Sequence, residues 1–503
     1  MTRRSARQVI AAVTDDGSWT SWDEALPAVP ASGEYADELA CARAATGLDE
    51  SVLTGTATIH GHRVAMLVCE FGFLGGSIGV AAGHRLTVAI RRATAQRLPL
   101  LALPTSGGTR MQEGTTAFMQ MVRITAAVTD HKAAGLPYLV YLRHPTTGGV
   151  FASWGSLGHV TLAEPGALIG FLGPRVYEAL YGDPFPTGVQ TAENLYACGL
   201  VDAVVSAADL SVMVDRALTI ITRAPQQVSQ RVPLHAPSSD APAWESVLAS
   251  RRQDRPGVRE LLHHACSDVI LLNGTGQGEN EPGLLLALAR FGDQACVLLG
   301  QDRHGQTPEA PLGPAALRQA RRGMRLAAEL KLPLATLIDT AGAALSRDAE
   351  EGGLAGEIAR CIADLVTLEV PTVSILLGQG TGGGALALVP ADRIVTAQHG
   401  WLSPLSPEGA SAILYHDTDH APHMATRQGV RSTDLLANGV VDRVIPEYPT
   451  AAAEPVQFCR RVGAVLRDEL ATLRNVDPAQ RLADRVQRFE RIGQHESIMA
   501  VAG

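Results

Sequence analysis

A chain of 503 residues, 46% hydrophobic and 18% charged, is long enough for two or three domains with real cores, which excludes disorder and coiled coil. Its net charge of −9 excludes a global positive field for nucleic acid or acidic lipid, so an anionic ligand would depend on local arginines or backbone N–H groups. No apolar run spans a bilayer, and Asp15 and Asp16 arrive before any signal-peptide core builds up, so a cytoplasmic protein without membrane contact is expected.

Along the chain, Val64–Cys69 reads as a short buried strand, and Arg85–Arg97 has helical periodicity that leads into Leu98-Pro99-Leu100. Ser106-Gly107-Gly108 follows as a turn. Leu136-Pro137 opens the strand Tyr138–Leu142, which ends at Thr147-Gly148-Gly149, and Ala152–Leu157 reads as a helix start. A Pro-, Gln- and Ser-rich stretch, residues 223–243, then reads as a linker. Beyond it the order returns. Strand Ala295–Gly300 and helix Leu317–Lys331 precede Leu332-Pro333-Leu334, Thr340-Ala341-Gly342, Val370-Pro371, strand Thr372–Leu377, Thr381-Gly382-Gly383 and a helix start at Ala385–Leu388. From Leu98 to Gly149 each of these signals recurs 234 residues downstream. Gly199-Leu-Val-Asp-Ala-Val-Val comes back as Gly439-Val-Val-Asp-Arg-Val-Ile after a small insertion. Matches in order at one offset imply two copies of one α/β domain, expected at 1–222 and 244–503 around the linker.

Each copy carries two glycine turns: TSGGTRMQEG (105–114) and HPTTGGVFASW (144–154), then DTAGA (339–343) and GQGTGGGALAL (378–388). Consecutive glycines let backbone N–H groups converge on one point, because positive φ is cheap and no Cβ blocks the approach. Where such a turn opens a helix it favours developing negative charge, which makes an oxyanion hole from backbone alone. Side-chain chemistry is thin by comparison. Only Lys132 and Lys331 are lysines, no P-loop exists, and no G-x-S-x-G elbow or Cys–His motif is present, so nothing activates Ser153 or Ser156. The seven scattered cysteines suit reduced thiols. His416, His420 and His423 lie among Asp417 and Asp419, but Pro422 breaks the helix that would align them, so no metal is expected. Arg91-Arg92 and Arg321-Arg322 read as solvated helix faces. Two oxyanion sites with little side-chain chemistry suit a reaction whose substrates bring their own base, such as enolate chemistry on a thioester.

At these residues the chain resembles the carboxyltransferase component of biotin-dependent acyl-CoA carboxylases, in the fused β–α form. SGGTRMQEG, TTGGVFASWGSLGH and AEPGALIGFLGPRV (163–176) resemble the β subunit. LIDTAGA, GQGTGGGALAL and LSPLSPEGASAIL (402–414) resemble the α subunit, and the likeness runs over about residues 60–446. It implies two tandem crotonase-like domains, acyl-CoA on the first, and carboxybiotin on the second of a partner copy in a homodimer. Gly148 and Gly149 match one oxyanion pair, and Gly383 and Gly384 the other, with a one-residue shift at Gly382 or Ala385 left open. Gly107, Gly108, Arg110 and Gly342 are the candidate substrate-binding residues. Carboxybiotin would release carbon dioxide, its ureido nitrogen would take the substrate's α proton, and the enolate would capture the carbon dioxide, with acetyl-CoA going to malonyl-CoA as the leading case.

Neither lysine sits in a Met-Lys-Met biotinylation site and no ATP module is visible, so a separate biotin carboxylase and biotin carboxyl carrier protein are implied. Three departures stand out. Residues 1–60 hold only Cys41 where the β subunit carries a four-cysteine zinc ribbon, Ala341 replaces the usual proline, and Gln379 a usual glutamate. They leave open a degenerate carboxylase subunit, and the same fold leaves open a biotin-independent malonyl-thioester decarboxylase. An enoyl hydratase or isomerase would need a positioned Glu, a role that family position gives to neither Glu113 nor Glu164.

Overall fold

The computed structural model describes residues 3–26, 32–224 and 241–492, so residues 225–240 of the expected linker lie outside the described residues. The chain divides into two compact units, Met1–Ile221 with Gly276–Gly278, and Thr222–Thr275 with Glu279–Gly503.

The first unit contains β1 (Thr20–Ser21), β2 (Val52–Ile59), β3 (His62–Cys69), β4 (Leu100–Leu103), β5 (Tyr138–Leu142), β6 (Thr146–Thr147), β7 (Val160–Ala163), β8 (Ile169–Gly170) and β9 (Ala203–Val204). The second contains β10 (Asp268–Leu272), β11 (Leu284–Phe291), β12 (Gln294–Gln301), β13 (Leu334–Thr340), β14 (Thr372–Thr381), β15 (Arg393–Ala397), β16 (Trp401–Ser403) and β17 (Arg443–Ile445). The sheet orders are β1-β2-β3-β4-β5-β7-β9 and β10-β11-β12-β13-β14-β15-β17. In each, the first two joins are antiparallel and the rest parallel. Parallel strands need crossovers, and the crossover helices bury the sheets, which is why β4, β5, β13 and nearly all of β14 read as unbroken buried runs.

The duplication extends to single residues. Helices Val80–Ala95 and Pro314–Leu330 begin after Gly79 and Gly313, earlier than their apolar periodicity shows. Both end in a left-handed residue, Arg97 at φ 53° and Lys331 at φ 54°, and Leu98 N–H and Leu332 N–H then bond back to the Ala93 and Ala327 carbonyls at 2.9 and 3.0 Å. That closure turns each helix into its Leu-Pro-Leu strand. Helices Gln120–Ala133 and Leu354–Thr367 match end for end at the 234-residue offset. Among the described residues no helix is long and apolar enough to cross a membrane.

Two boundaries differ from expectation. The helix expected from Ala385 starts at the glycines themselves, as Gly382–Leu386, whereas in place of one from Ala152 a single turn, Gly148–Phe151, ends before that residue and a 3₁₀ turn, Trp154–Ser156, follows; Thr147 and Thr381 are the extended caps. β14 also runs past Leu377 through four more residues, Gly378-Gln379-Gly380-Thr381. Gly378 lets the strand lie on Asp339, since a Cβ there would sit 2.4 Å from Oδ1, and Gly380 lets it pair with β16, since a Cβ would sit 2.6 Å from the Trp401 carbonyl.

Candidate active site: two backbone turns

In the first unit the two glycine turns form one site. Gly108 (φ 113°) and Gly148 (φ 64°) meet backbone to backbone, and a Cβ on Gly148 would stand 3.2 Å from the Gly108 Cα. The Gly108 N–H donates to Ser106 Oγ (3.0 Å), Thr147 N–H to the Ser106 carbonyl (2.9 Å), and Gly107 N–H to the Gly75 carbonyl (2.9 Å). These bonds lock the turn. The first N–H groups of a helix have no intrahelical acceptor. That of Gly148 is taken by the Phe171 carbonyl at 3.0 Å, which leaves Gly149 as the donor at the junction. The space a Gly108 Cβ would fill lies 3.5 Å from the Gly149 nitrogen, so glycine at 108 keeps the approach to that N–H clear. Ser153 is not a nucleophile in waiting, because its hydroxyl donates to the Gly149 carbonyl at 2.5 Å.

The second unit builds the same turn. Gly342 (φ 132°) donates to Thr340 Oγ1 at 3.1 Å, as Gly108 does to Ser106, and Gly382 (φ 64°) has the conformation of Gly148. The positional counterparts of Gly148 and Gly149 are therefore Gly382 and Gly383, both partly exposed. Gly384 occupies the buried position of Val150. Thr381 turns its methyl towards the space left by Gly342, with Cγ2 3.7 Å from where a Cβ would stand, and its Oγ1 is buried with no hydrogen-bond partner among the described residues.

What braces the turns differs. Arg110, expected to contact substrate, is 1% exposed and fully committed. It bonds both Glu50 oxygens, Glu113 Oε1 at 3.2 Å and the Ser77 carbonyl at 2.8 Å. Burial alone would lower its pKa, but the Glu50 bonds and charge reverse this and hold the guanidinium above its ordinary value. Arg110 thus ties the loop and offers no free cation. On the other oxygen-rich side, Tyr35 donates to Glu113 at 2.5 Å, and burial followed by that bond pushes its phenol up to about 12.

The second unit has Ala344 at the position of Arg110 and uses amides instead. Gln301, fully buried at the end of β12, accepts from Asp339 N–H (3.1 Å) and donates to the Gly384 carbonyl (2.7 Å), so one side chain spans both turns. Gln306 accepts from Thr340 Oγ1 (2.5 Å) and donates to the Asp339 carbonyl (3.1 Å). Asp339 is raised above the usual carboxylate range by burial, with Arg303 at 3.3 Å opposing. Gln379 Oε1 accepts from Arg251 Nε (3.1 Å), and Arg251 also bonds Glu408 with Nη2 at 3.0 Å. Nothing in the local sequence marks Glu50, Gln301 or Arg251. Their partners lie 60, 83 and 157 residues away.

The His416–His423 segment forms no metal cluster, and none is found among the described residues. His420 pairs with Asp417 at 2.8 Å, one helix ends at Tyr415, and Pro422 lies in the first turn of the next, Ala421–Arg427.

Residues 3–476 match the carboxyl transferase domain. A probable biotin-dependent acyl-coenzyme A carboxylase beta3 subunit of Mycobacterium tuberculosis (strain ATCC 25618 / H37Rv) is 62% identical over 98% of this chain and 99% of its own. The acetyl-coenzyme A carboxylase carboxyl transferase subunits beta/alpha of Salinispora arenicola (strain CNS-205) are 38% identical over 98% and 91%. Among solved structures, transcarboxylase 12S with methylmalonyl-coenzyme A bound is similar over 95% of this chain and 91% of its own (TM-score 0.72, 20% identity). The fold is the tandem crotonase-type α/β architecture, and the chain belongs to the carboxyl transferase family.

Proposed function

We propose that this chain is the carboxyltransferase of a biotin-dependent acyl-CoA carboxylase, with the turn of the first unit holding the acyl-CoA thioester and the turn of the second receiving carboxybiotin borne by a separate carrier protein. The observation that carries this reading is the twofold construction of one backbone turn, Ser106-Gly108-Gly148 and Thr340-Gly342-Gly382, with the same φ signs in each. Two oxyanion sites suit two carbonyl-bearing substrates. Carboxybiotin brings both the carboxyl group and the nitrogen base, so the chain supplies no general base of its own.

The part played by the protein is then electrostatic. Gly149 N–H would stabilise the thioester enolate, and Gly383 the ureido oxyanion, each donor contributing about 3–4 kcal/mol if it behaves like oxyanion donors elsewhere. Met111 and Phe118 near the first turn and Leu345 near the second are 85%, 60% and 95% exposed, which supports burial against another copy in a homodimer. Seven free thiols suit the cytoplasm. Acetyl-CoA is the first acceptor to try, and a biotin carboxylase with its carrier protein the expected partners.

The test runs the reaction backwards. Purified protein receives malonyl-CoA, then methylmalonyl-CoA, with and without free biotin or a biotinyl peptide, and acyl-CoA release is followed. Biotin-dependent release supports the proposal, and the faster thioester identifies the acyl class. Release that ignores biotin points to a decarboxylase. Folded protein inactive on both thioesters points to a degenerate subunit.

A further inference from the structure

The second unit holds a cavity of about 720 Å³ at the end of its sheet opposite the glycine turn. Pro333 and Pro371, which lead into β13 and β14, form part of its wall, whereas the turn residues follow the far ends of those strands. β13 has seven residues, which at about 3.3 Å each separates the cavity from the turn by roughly 20 Å. A molecule in the cavity is therefore out of reach of the reacting groups. Its volume falls in the range of small-molecule sites.

The wall has two chemistries. Met324, Ala328, Leu368, Val370 and Val476 make it apolar. Around them stand five basic side chains, Arg321, Arg325, Lys331, Arg474 and Arg481, against two acidic ones, Asp364 and Glu369. Two of the five are neutralised. Arg321 Nε bonds Asp364 at 2.7 Å, and Arg481 lies 3.5 Å from Asp392. The side chains of Arg325 and Lys331 are exposed and make no hydrogen bond or ion pair among the described residues. Among the described residues Arg474 donates Nη2 alone, to the Ala295 carbonyl at 3.2 Å, and its Nε is buried without an acceptor. Glu369, exposed on the rim, is the one carboxylate of the wall left to oppose these three, and Asp293, outside the wall, also acts on Arg474. A buried guanidinium N–H without a partner costs free energy that a carboxylate or phosphate would recover. Lys331 adds a second oddity. It is one of two lysines in 503 residues and holds the left-handed position where glycine or asparagine is the default, so backbone geometry does not ask for lysine there.

We propose that this cavity is a small-molecule site, separate from the glycine turns, for an amphiphilic anion: an alkyl chain lies along the apolar wall and a carboxylate or phosphate head is held by Arg325, Lys331 and Arg474. The site stands independently of the carboxyltransferase reading, because it rests on no residue of either turn.

Isothermal titration of the full chain with octanoate, octyl phosphate, inorganic phosphate and uncharged octyl glucoside tests it. The expected result is saturable binding of one octyl anion per chain. In the Arg325→Ser, Lys331→Asn double variant that affinity should fall at least tenfold. Asparagine accepts the left-handed backbone at 331 and residue 325 is exposed, so an unchanged circular dichroism spectrum will accompany the loss. Ala328→Trp, which fills the cavity, should abolish binding. The preferred head group, carboxylate or phosphate, is read from the ratio of the two octyl anions. Equal affinity for octyl glucoside would remove the anion from the proposal, and equal affinity for inorganic phosphate would remove the alkyl chain. No saturable binding, or binding that survives both sets of variants, would overturn the site altogether.

Discussion

The two units reach one backbone geometry by different side chains. In the first, Pro145 lacks an N–H and the strand is split into β5 and β6, so β6 pairs with β8 and, by a single bridge from Thr146, with Ser106. In the second, Gly378-Gln379-Gly380 carries β14 through without a break, and β16 pairs directly with it. The first turn is anchored by a buried ion pair, Arg110 on Glu50, and the second by the neutral amides Gln301 and Gln306. The φ values hardly change across this exchange, 113° against 132° and 64° in both later glycines. What the two copies share is therefore the backbone donor site, and side chains are free to differ provided they hold it.

The sharpest way to break this equivalence is at the shared glycines. Gly148→Ala forces a side chain into the left-handed region, at about 1–2 kcal/mol, and sets it 3.2 Å from the Gly108 Cα. Gly382→Ala carries the same backbone cost, but its nearest neighbour is the Pro404 carbonyl at 3.4 Å. Both are expected to lose at least 100-fold in biotin-dependent acyl-CoA release, which is about 2.7 kcal/mol of transition-state stabilisation. Malonyl-CoA affinity should fall in Gly148→Ala only. A Gly382→Ala enzyme with full turnover would show that the second turn has no catalytic part.

The braces should differ in strength. Glu50→Gln leaves the Arg110 charge buried with a weakened partner, and breaking such a pair costs about 3–5 kcal/mol. Gln301→Leu strands two neutral backbone groups, at about 1–3 kcal/mol. Urea unfolding of each variant, followed by hydrogen exchange in β4 and β13 to keep the units apart, will rank them. If Gln301→Leu proves the more damaging, the contrast between ionic and amide bracing is wrong.

A third difference is acid sensitivity. His131 is fully buried in the first unit, while the matching position of the second is Leu365. Burial depresses the imidazole to about 4, and its ring nitrogens are held by Thr94 at 2.9 Å and the Pro137 carbonyl at 3.2 Å. Because the folded value lies below the unfolded one, near 6.5, the unfolded chain binds more protons between them. The contribution is complete above pH 6.5 and is lost as pH falls towards 4, amounting to about 2 kcal/mol by pH 5. His131→Leu should flatten that part of the unfolding profile of the first unit between pH 7 and 5. An unchanged slope would place the acid sensitivity elsewhere.

How far these features could be read from sequence follows from their range. The 234-residue offset reaches the level of φ, since Gly108 with Gly342 and Gly148 with Gly382 fall on it. The helix starts were legible only to within a few residues, because a run of glycines reads as a turn although here it is the first turn of a helix. Arg110 reads as a substrate cation because its local motif offers only Glu113, met by one nitrogen at 3.2 Å, and not the carboxylate that binds it with two. Glu50, which neutralises it, comes alongside only when the sheet forms. Gln301 closes the strand β12 exactly as Cys69 closes β3, and no local pattern separates a buried amide that spans two turns from a buried thiol.

The gentlest comparison is at Gly107, whose counterpart in the second turn is already Ala341. Gly107 is exposed, its φ is not left-handed, and an added Cβ would meet only the Gly75 carbonyl at 3.6 Å, an ordinary contact. Gly107→Ala should leave the folded state intact and, by restricting the unfolded chain, shift stability by no more than about 0.4–1 kcal/mol, upwards. The methyl group nevertheless projects where the first turn is open to a ligand. If acyl-CoA binds there, KM for malonyl-CoA will rise severalfold with kcat nearly unchanged, the pattern of lost uniform binding. If KM does not move, position 107 is as neutral in the first unit as alanine shows it to be in the second, and thioester contact belongs to Gly108 and Gly149 alone.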